Sequence, residues 1–206
     1  MTKLPPRAFR RLDETPDEAF YRQPRFVTHI DDAAIAAVTG LYREFLPPGG
    51  AVLDLMSSWV SHLPPETRYR RVVGLGLNAE ELAANPRLDA WMVQNLNRDP
   101  RLPFADAEFD GAGITVSIDY LTRPVEVLRD LSRVMTPGAP VVITFSNRCF
   151  PTKAVAIWHT LDGAGHRALV EGYLREAGGW EAITSHDRSP GGGHDPLFAV
   201  TARAAR

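Results

Sequence analysis

A chain of 206 residues with 23 Lys and Arg against 25 Asp and Glu carries a formal charge of -2, without the basic excess that nucleic-acid binding recruits. No apolar run approaches the ~20 residues of a membrane helix, and the basic start MTKLPPRAFRRL lacks the apolar core of a secretory signal. A single cysteine, Cys149, excludes an internal disulfide framework and suits a reducing compartment. The expectation is a cytoplasmic protein, monomer or homodimer, that engages neither nucleic acid nor membrane.

In chain order, residues 1–20 are rich in proline and charge and read as a loose arm. Asp31 or Asp32 can cap a helix in which Ile35, Val38, Leu41, Tyr42 and Phe45 recur at helical spacing, and Pro47, Pro48 and Gly49 stop it. Residues 1–46 are thus expected as an arm and lid helix, and 47–206 as a single α/β domain. The apolar run Ala51–Leu55 predicts a buried parallel strand with Asp54 near its carboxyl end. A short crossover, with a brief helix starting near Pro64, leads to a second strand, Arg71–Leu75. Asn78 caps a helix ended by Pro86, and Trp91–Leu96 reads as strand three.

Ala112–Val116 is expected as strand four. Pro124–Met135 is an amphipathic helix, with Val127, Leu128, Leu131 and Val134 on one face. Pro140–Phe145 makes strand five, and helices are expected over Thr152–Thr160 and Gly165–Ala177. Trp180–His186 and Leu197–Ala202 then form a closing hairpin around SPGGGHDP. Strands alternating with helices predict a doubly wound, mostly parallel α/β sheet. In such sheets ligands bind beyond the carboxyl ends of the strands, where the strand order reverses.

The string VLDL, RVVGLGLNAEEL, LPFADAEFD and IDYLTRPVEVLRDLSRVMTPGAPVVITF resembles the class I S-adenosylmethionine-dependent methyltransferases over roughly residues 45–150. The match is densest over Leu102–Phe145, where it follows the small-molecule branch of that family. The resemblance implies seven strands in the order 3-2-1-4-5-7-6 with the last antiparallel. It also implies S-adenosyl-L-methionine as cofactor, S-adenosyl-L-homocysteine as product and a small-molecule acceptor. Two departures stand out. The family's first loop reads D/E-x-G-x-G-x-G, whereas Asp54 is followed by Leu55, Met56, Ser57, Ser58, Trp59 and Val60 without a glycine. The family's ribose-binding acid at the end of strand two matches Gly76. The resemblance extends to a glycine-poor offshoot with an SSWVSH-like loop and an SNRCF-like turn.

Carried onto this chain, the resemblance places the amino-acid end of the cofactor at Asp54, Met56, Ser57 and Ser58. The ribose falls at Gly76, Leu77 and Asn78, and the adenine at Asn95, Leu96 and Asn97. Ser117 follows strand four near the reacting methyl, and Tyr21 and His29 lie over the cofactor. Each has a purely structural reading as well: Asp54 and the serines as a turn, Asn78 as a helix cap, and the arm as terminal packing. Asp119 and Tyr120 after strand four, and His186 at the end of strand six, are candidate catalytic groups. Trp59, His62, Asn147 and Arg148 are candidates for the acceptor, Arg148 as an anion clamp. The histidine spacing matches no metal site.

The reading is methyl transfer to a small acceptor, a thiol being the one that needs least proton removal. A methyltransferase fold that binds or regulates without catalysis is the alternative. A nicotinamide-dependent oxidoreductase ranks last, because no G-x-G-x-x-G follows strand one.

Overall fold

The computed structural model describes residues 4–205. Seven strands, β1 (Ala51–Ser57), β2 (Arg71–Gly76), β3 (Ala90–Val93), β4 (Gly111–Thr115), β5 (Pro140–Phe145), β6 (Trp180–Asp187) and β7 (Phe198–Ala204), form one sheet. Its order is β3-β2-β1-β4-β5-β7-β6. β1 pairs in parallel with both β2 and β4, which makes it the point where the strand order reverses. β7 runs antiparallel to β5 and β6 antiparallel to β7, as the family resemblance implies.

Both faces of β1 are covered, which explains its unbroken apolar run. Side chains alternate across the sheet, so Val52 joins one core and Leu53 and Leu55 the other. On the first face lies α2 (Asp32–Phe45), capped by the Asp31 carboxylate, which accepts from the Ala34 amide at 2.9 Å. Its Val38, Leu41 and Tyr42 pack with Val52, Val72 and Val142. The Tyr42 hydroxyl bonds that of Thr115, and a Cβ on Gly113 would meet the Tyr42 oxygen at 2.5 Å. The glycine therefore lets the helix lie close against β4. Contrary to the expectation of a lid, α2 is a structural layer of the core.

The opposite face is covered by α4 (Pro124–Val134) and α5 (Gly163–Ala177), which bury Val127, Leu128, Leu131, Leu169, Val170 and Leu174. Asp162 caps α5 through the Gly165 amide at 2.8 Å, and Gly178, at φ +70°, ends it.

Four expectations are corrected. First, residues 152–160 form turns and a 3-10 segment at Trp158–Thr160, not a helix. Their amides are engaged elsewhere: Val155 donates to Asp119 O, Ala156 to Arg10 O and Ile157 to Ala8 O. Second, the described part of the arm is therefore not loose. It contains a 3-10 turn (Pro6–Phe9) and a short helix, α1 (Asp17–Phe20), and the Asp13 amide donates to Thr152 O at 2.8 Å. Lys153, fully buried, donates to Thr15 O at 2.7 Å, with its ammonium 3.3 Å from Asp13 and 3.5 Å from Asp17. Arg11 holds the same Asp17 at 2.6 Å.

Third, no helix forms between β1 and β2. The two prolines and the bonds Gly49 N–Arg68 O and Arg70 N–Gly50 O keep that crossover extended. Fourth, β3 ends at Val93. The Gln94 side chain turns to the carbonyls of Asp99 and Arg101, and Asn95 Oδ1 accepts from the Asn97 amide, so the Asn95–Asn97 stretch is a turn. The remaining element limits agree with expectation to within two residues.

A buried ammonium between carboxylates is costly to disrupt. Lys153→Met is expected to destabilise the fold by about 3 kcal/mol, the low end of the ~3–5 kcal/mol for breaking a buried pair, since Arg11 still partners Asp17. Urea unfolding measures it, and the loss will be accompanied by faster proteolysis within residues 6–25.

Candidate active site

The ends of β1, β2 and β4 open into a cleft lined by Met56, Ser57, Gly76 and Thr115 among others. β1 supplies its floor through a backbone that does what glycine normally does. Met56 sits at φ +60° and Val116, at the end of β4, at φ +41°. Left-handed backbone costs about 1–2 kcal/mol for a side-chain-bearing residue, and a β-branched one is a marked outlier. Met56 occupies the first glycine slot of the family's loop and adopts a backbone conformation that glycine reaches without strain. Both strained residues line the cleft, and such strain concentrates at functional sites.

The serines after Met56 pin this loop. Ser57 and Ser61 donate to Asp54 Oδ2 at 2.5 and 2.6 Å. Asn85 donates to Ser61 Oγ at 2.8 Å and to Ser58 O at 2.9 Å. Burial raises the Asp54 carboxyl to about 6, against the lowering by its two serine donors. Asp54 lies beneath the cleft with its oxygen already engaged, so it holds the loop instead of facing the cleft directly.

At Gly76 the reason for the missing acid is steric. A Cβ there would lie 2.2 Å from Ser57 O, because β1 continues through Ser57 and pairs with Gly76. The carboxylate that reaches the same region is Glu81, from the first turn of α3 (Ala79–Ala84). It is 9% exposed and lines the cleft. It accepts from Ser58 Oγ at 2.6 Å and from the Arg25 amide at 2.8 Å. Asn78-x-x-Glu81 reads in sequence as a capping pattern, so nothing local marks Glu81 as a cleft residue.

Asn78 does cap α3, through Glu80 N and Glu81 N, while its Nδ2 donates to Tyr21 O and Arg22 O. Its polar atoms are thus engaged by the protein, as are those of Asn97, which binds Asp17, Tyr120 O and Thr122. Asn95 donates to Glu18 at 3.0 Å. Leu77, Leu96, Asn95 and Asn97 still line the cleft, as do Tyr21, His29, Ser57, Ser58 and Tyr120. Ser117 lines it with a buried hydroxyl that has no partner. Arg25 and Phe150 line it as well, and residues not anticipated there include Asp17 and Gln94. These come from the arm and from turns whose placement depends on tertiary contacts.

Besides Asp54, six of the candidates fall outside the cleft. His186 belongs to the edge strand β6, three strands from β4, where it contacts Thr201 Oγ1 at 3.0 Å and the Phe45 ring. Arg148 pairs with Asp195 at 2.6 Å, and Asn147 accepts from Ser146. His62 is held under α2, its carbonyl accepting from Thr39. Trp59 donates to Val27 O on the outer side of the arm. Asp119 is 3% exposed behind Tyr120, with Oδ2 unpartnered, and burial raises its carboxyl to about 8. Tyr120 accepts from the Phe150 amide at 2.8 Å, and burial, with Asp119 beside it, pushes its phenol well up. Among the described residues no cluster of three His, Cys, Asp or Glu could hold a metal ion, and no helix is long and apolar enough to cross a membrane.

Gly76→Asp, which would install the family's acid, is expected to lower stability by about 2 kcal/mol, in the ~1–3 kcal/mol range of overpacking, read by thermal unfolding. The second expectation concerns pH. A carboxyl raised in the folded state binds its proton more tightly there, so its contribution is complete below about pH 4 and is lost as pH rises through about 8. The stability of Asp119→Asn minus that of the wild type will therefore grow from pH 4 to pH 8 and level above it. Denaturant unfolding across that range checks the sign.

Comparison with known proteins agrees with this geometry. Residues 56–143 match a methyltransferase-domain family. No curated protein matches significantly. Among solved structures, an S-adenosylmethionine-dependent methyltransferase from Aquifex aeolicus is 16% identical, with a TM-score of 0.59 over 98% of this chain and 100% of that one. One from Mesorhizobium loti is 17% identical, with a TM-score of 0.58 over 82% and 98%. Phosphoethanolamine N-methyltransferase 2 of Haemonchus contortus, solved with S-adenosyl-L-methionine, is 12% identical, with a TM-score of 0.60 over 83% of this chain and 52% of that one. At these identities the structures show the shared fold: the chain has the seven-stranded fold of the S-adenosylmethionine-dependent methyltransferases, and its residues 56–143 match a methyltransferase-domain family.

Proposed function

We propose that the protein transfers a methyl group from S-adenosyl-L-methionine to a small-molecule acceptor by in-line displacement, with a thiol as the acceptor that suits the site best. The observation that carries this is the cleft at the strand-order reversal, in which the buried carboxylate of Glu81 and the unpartnered hydroxyl of Ser117 face the same space. A buried polar group without a partner is costly, and a polar ligand removes that cost.

The residues suit the cofactor. Glu81 can accept from the ribose hydroxyls, a charge-assisted role that the family's acid otherwise fills. Leu77 and Leu96 offer apolar walls for the base, and the loop of Met56, Ser57 and Ser58 meets the amino-acid end. When bound, S-adenosyl-L-methionine supplies a methyl group already activated by its sulfonium. The protein's task is then to hold the acceptor in line and exclude water. The rings of Tyr21 and Tyr120, each about 6 Å from that of Phe150, make an aromatic wall for that purpose.

Proton removal falls to His29, since Asp119 and His186 do not reach the cleft. Desolvation holds its imidazole below the ordinary value, so it is neutral near pH 7 and able to take a proton from a hydroxyl or amine. A thiol ionises near neutral pH with little help, which fits a site with so few bases. A binding protein without catalysis is the second reading, favoured by the exclusion of Asp119 and His186.

Calorimetric titration of the full chain with S-adenosyl-L-homocysteine, beside NAD as control, is the test. Micromolar binding of the former alone is expected, weakened roughly 10-fold or more in Glu81→Gln by the loss of bonds to a charged acceptor. No binding to folded protein would overturn the reading. Labelled methyl transfer to small thiols then separates enzyme from binding protein.

A further inference from the structure

We infer that Arg25 is the docking point for a carboxylate carried by a ligand of this cleft, an inference that rests on the methyltransferase reading above. Arg25 lines the cleft from the segment between α1 and α2. Its guanidinium carbon lies 4.7, 5.7 and 5.3 Å from the ring centroids of Phe20, Tyr21 and Phe150. Its side-chain bonds go only to main-chain carbonyls, Phe20 O at 3.0 Å and Gln23 O at 3.4 Å. Arg11, Arg133 and Arg148, by contrast, each hold a carboxylate at 2.6–2.8 Å. The nearby Glu81 does not serve Arg25 in this way, since its oxygens take the Arg25 amide and the Ser58 hydroxyl.

The group is also held in place. Asn78 binds Tyr21 O and Arg22 O, and Glu81 binds the Arg25 amide, so the segment is fastened to the first turn of α3 at three points. Three aromatic rings fix the guanidinium. A fork of donors lying on aromatic faces, weakly hydrated and without a counter-charge, is matched by a planar carboxylate, which it can bind through two parallel bonds. Two ligands of the proposed reaction can carry that carboxylate: the amino-acid end of the cofactor, or the acceptor.

Three ligands separate the sources: S-adenosyl-L-homocysteine, 5′-methylthioadenosine, which keeps the nucleoside and thioether but has no carboxylate, and benzoate. The full-length wild type is compared with Arg25→Met and Arg25→Lys, the latter serving also if the Met variant fails to fold. If Arg25 holds the cofactor's carboxylate, Arg25→Met weakens S-adenosyl-L-homocysteine at least 10-fold, leaves 5′-methylthioadenosine unchanged, and Arg25→Lys recovers part of the loss. If it holds the acceptor's, S-adenosyl-L-homocysteine binding is unchanged, while benzoate binding to the loaded protein, followed by ligand-observed NMR, is lost in Arg25→Met. The inference is overturned if Arg25→Met binds S-adenosyl-L-homocysteine like the wild type and the wild type shows no Arg25-dependent benzoate binding. A wild type that binds neither nucleoside ends the methyltransferase reading itself. Benzoate binding dependent on Arg25 would still support the carboxylate site in that case, and its absence would end both.

Discussion

The carbonyl oxygen of Ser57 lies 2.2 Å from where a Cβ on Gly76 would stand, and the arrangement of the cleft depends on that approach. β1 runs two residues past Leu55, and a register shift between Leu55 and Ser57 carries its end over Gly76. Bare backbone is needed on the β2 side, so the position where the family resemblance places an acid can hold none. The carboxylate that lines the cleft nearby is Glu81, on the first turn of α3, which the Ser58 hydroxyl steadies. Absence of the acid is thus a packing consequence, and it does not by itself argue for lost binding.

The same extension accounts for the glycine-poor loop. A left-handed residue is required at position 56, and the chain accepts strain of about 1–2 kcal/mol there by using Met. The compensation is a set of serine bonds: Ser57 and Ser61 to Asp54, Asn85 to Ser61, and Ser58 to Glu81. Flexible glycines would lose more conformational entropy on ordering. The serine loop is instead anchored by side chains to the two elements on either side of it. An over-determined surrounding is what allows an unfavourable backbone to persist.

The second organising feature is the buried ammonium of Lys153. Between Asp13, Asp17 and the Thr15 carbonyl, it binds residues 13–17 to the turn after β5. Asp17 continues the network to Asn97, and Asn97 to Tyr120 O and Thr122. The arm, the Asn95–Asn97 turn and the segment after β4 therefore form one connected polar frame around the cleft. Buried ionic groups are a weak source of stability and a better source of positional specificity. Here that specificity places Tyr21 and Arg25 over the site.

The regular framework was legible from the chain because it follows from local chemistry. Apolar runs, helical spacing and the caps Asp31, Asn78 and Gly178 need only neighbours within a few residues, and the family pattern over Leu102–Phe145 supplied the strand order. The cleft residues after β1 and β2 were legible for the same reason, since strand ends at the order reversal face a ligand in any such sheet. Tertiary structure alone decided the rest. Amides of residues 155–157 abandon a helix because Asp119 and the arm accept them. Asn78 and Asn97 turn their amide groups to carbonyls far away in sequence. His186 is carried off by the outer strand, and Glu81 and Arg25 come together across 56 residues because the Arg25 amide donates to the Glu81 carboxylate. Such choices depend on which polar group lies nearest after the core has closed, and no local pattern of residues encodes that distance.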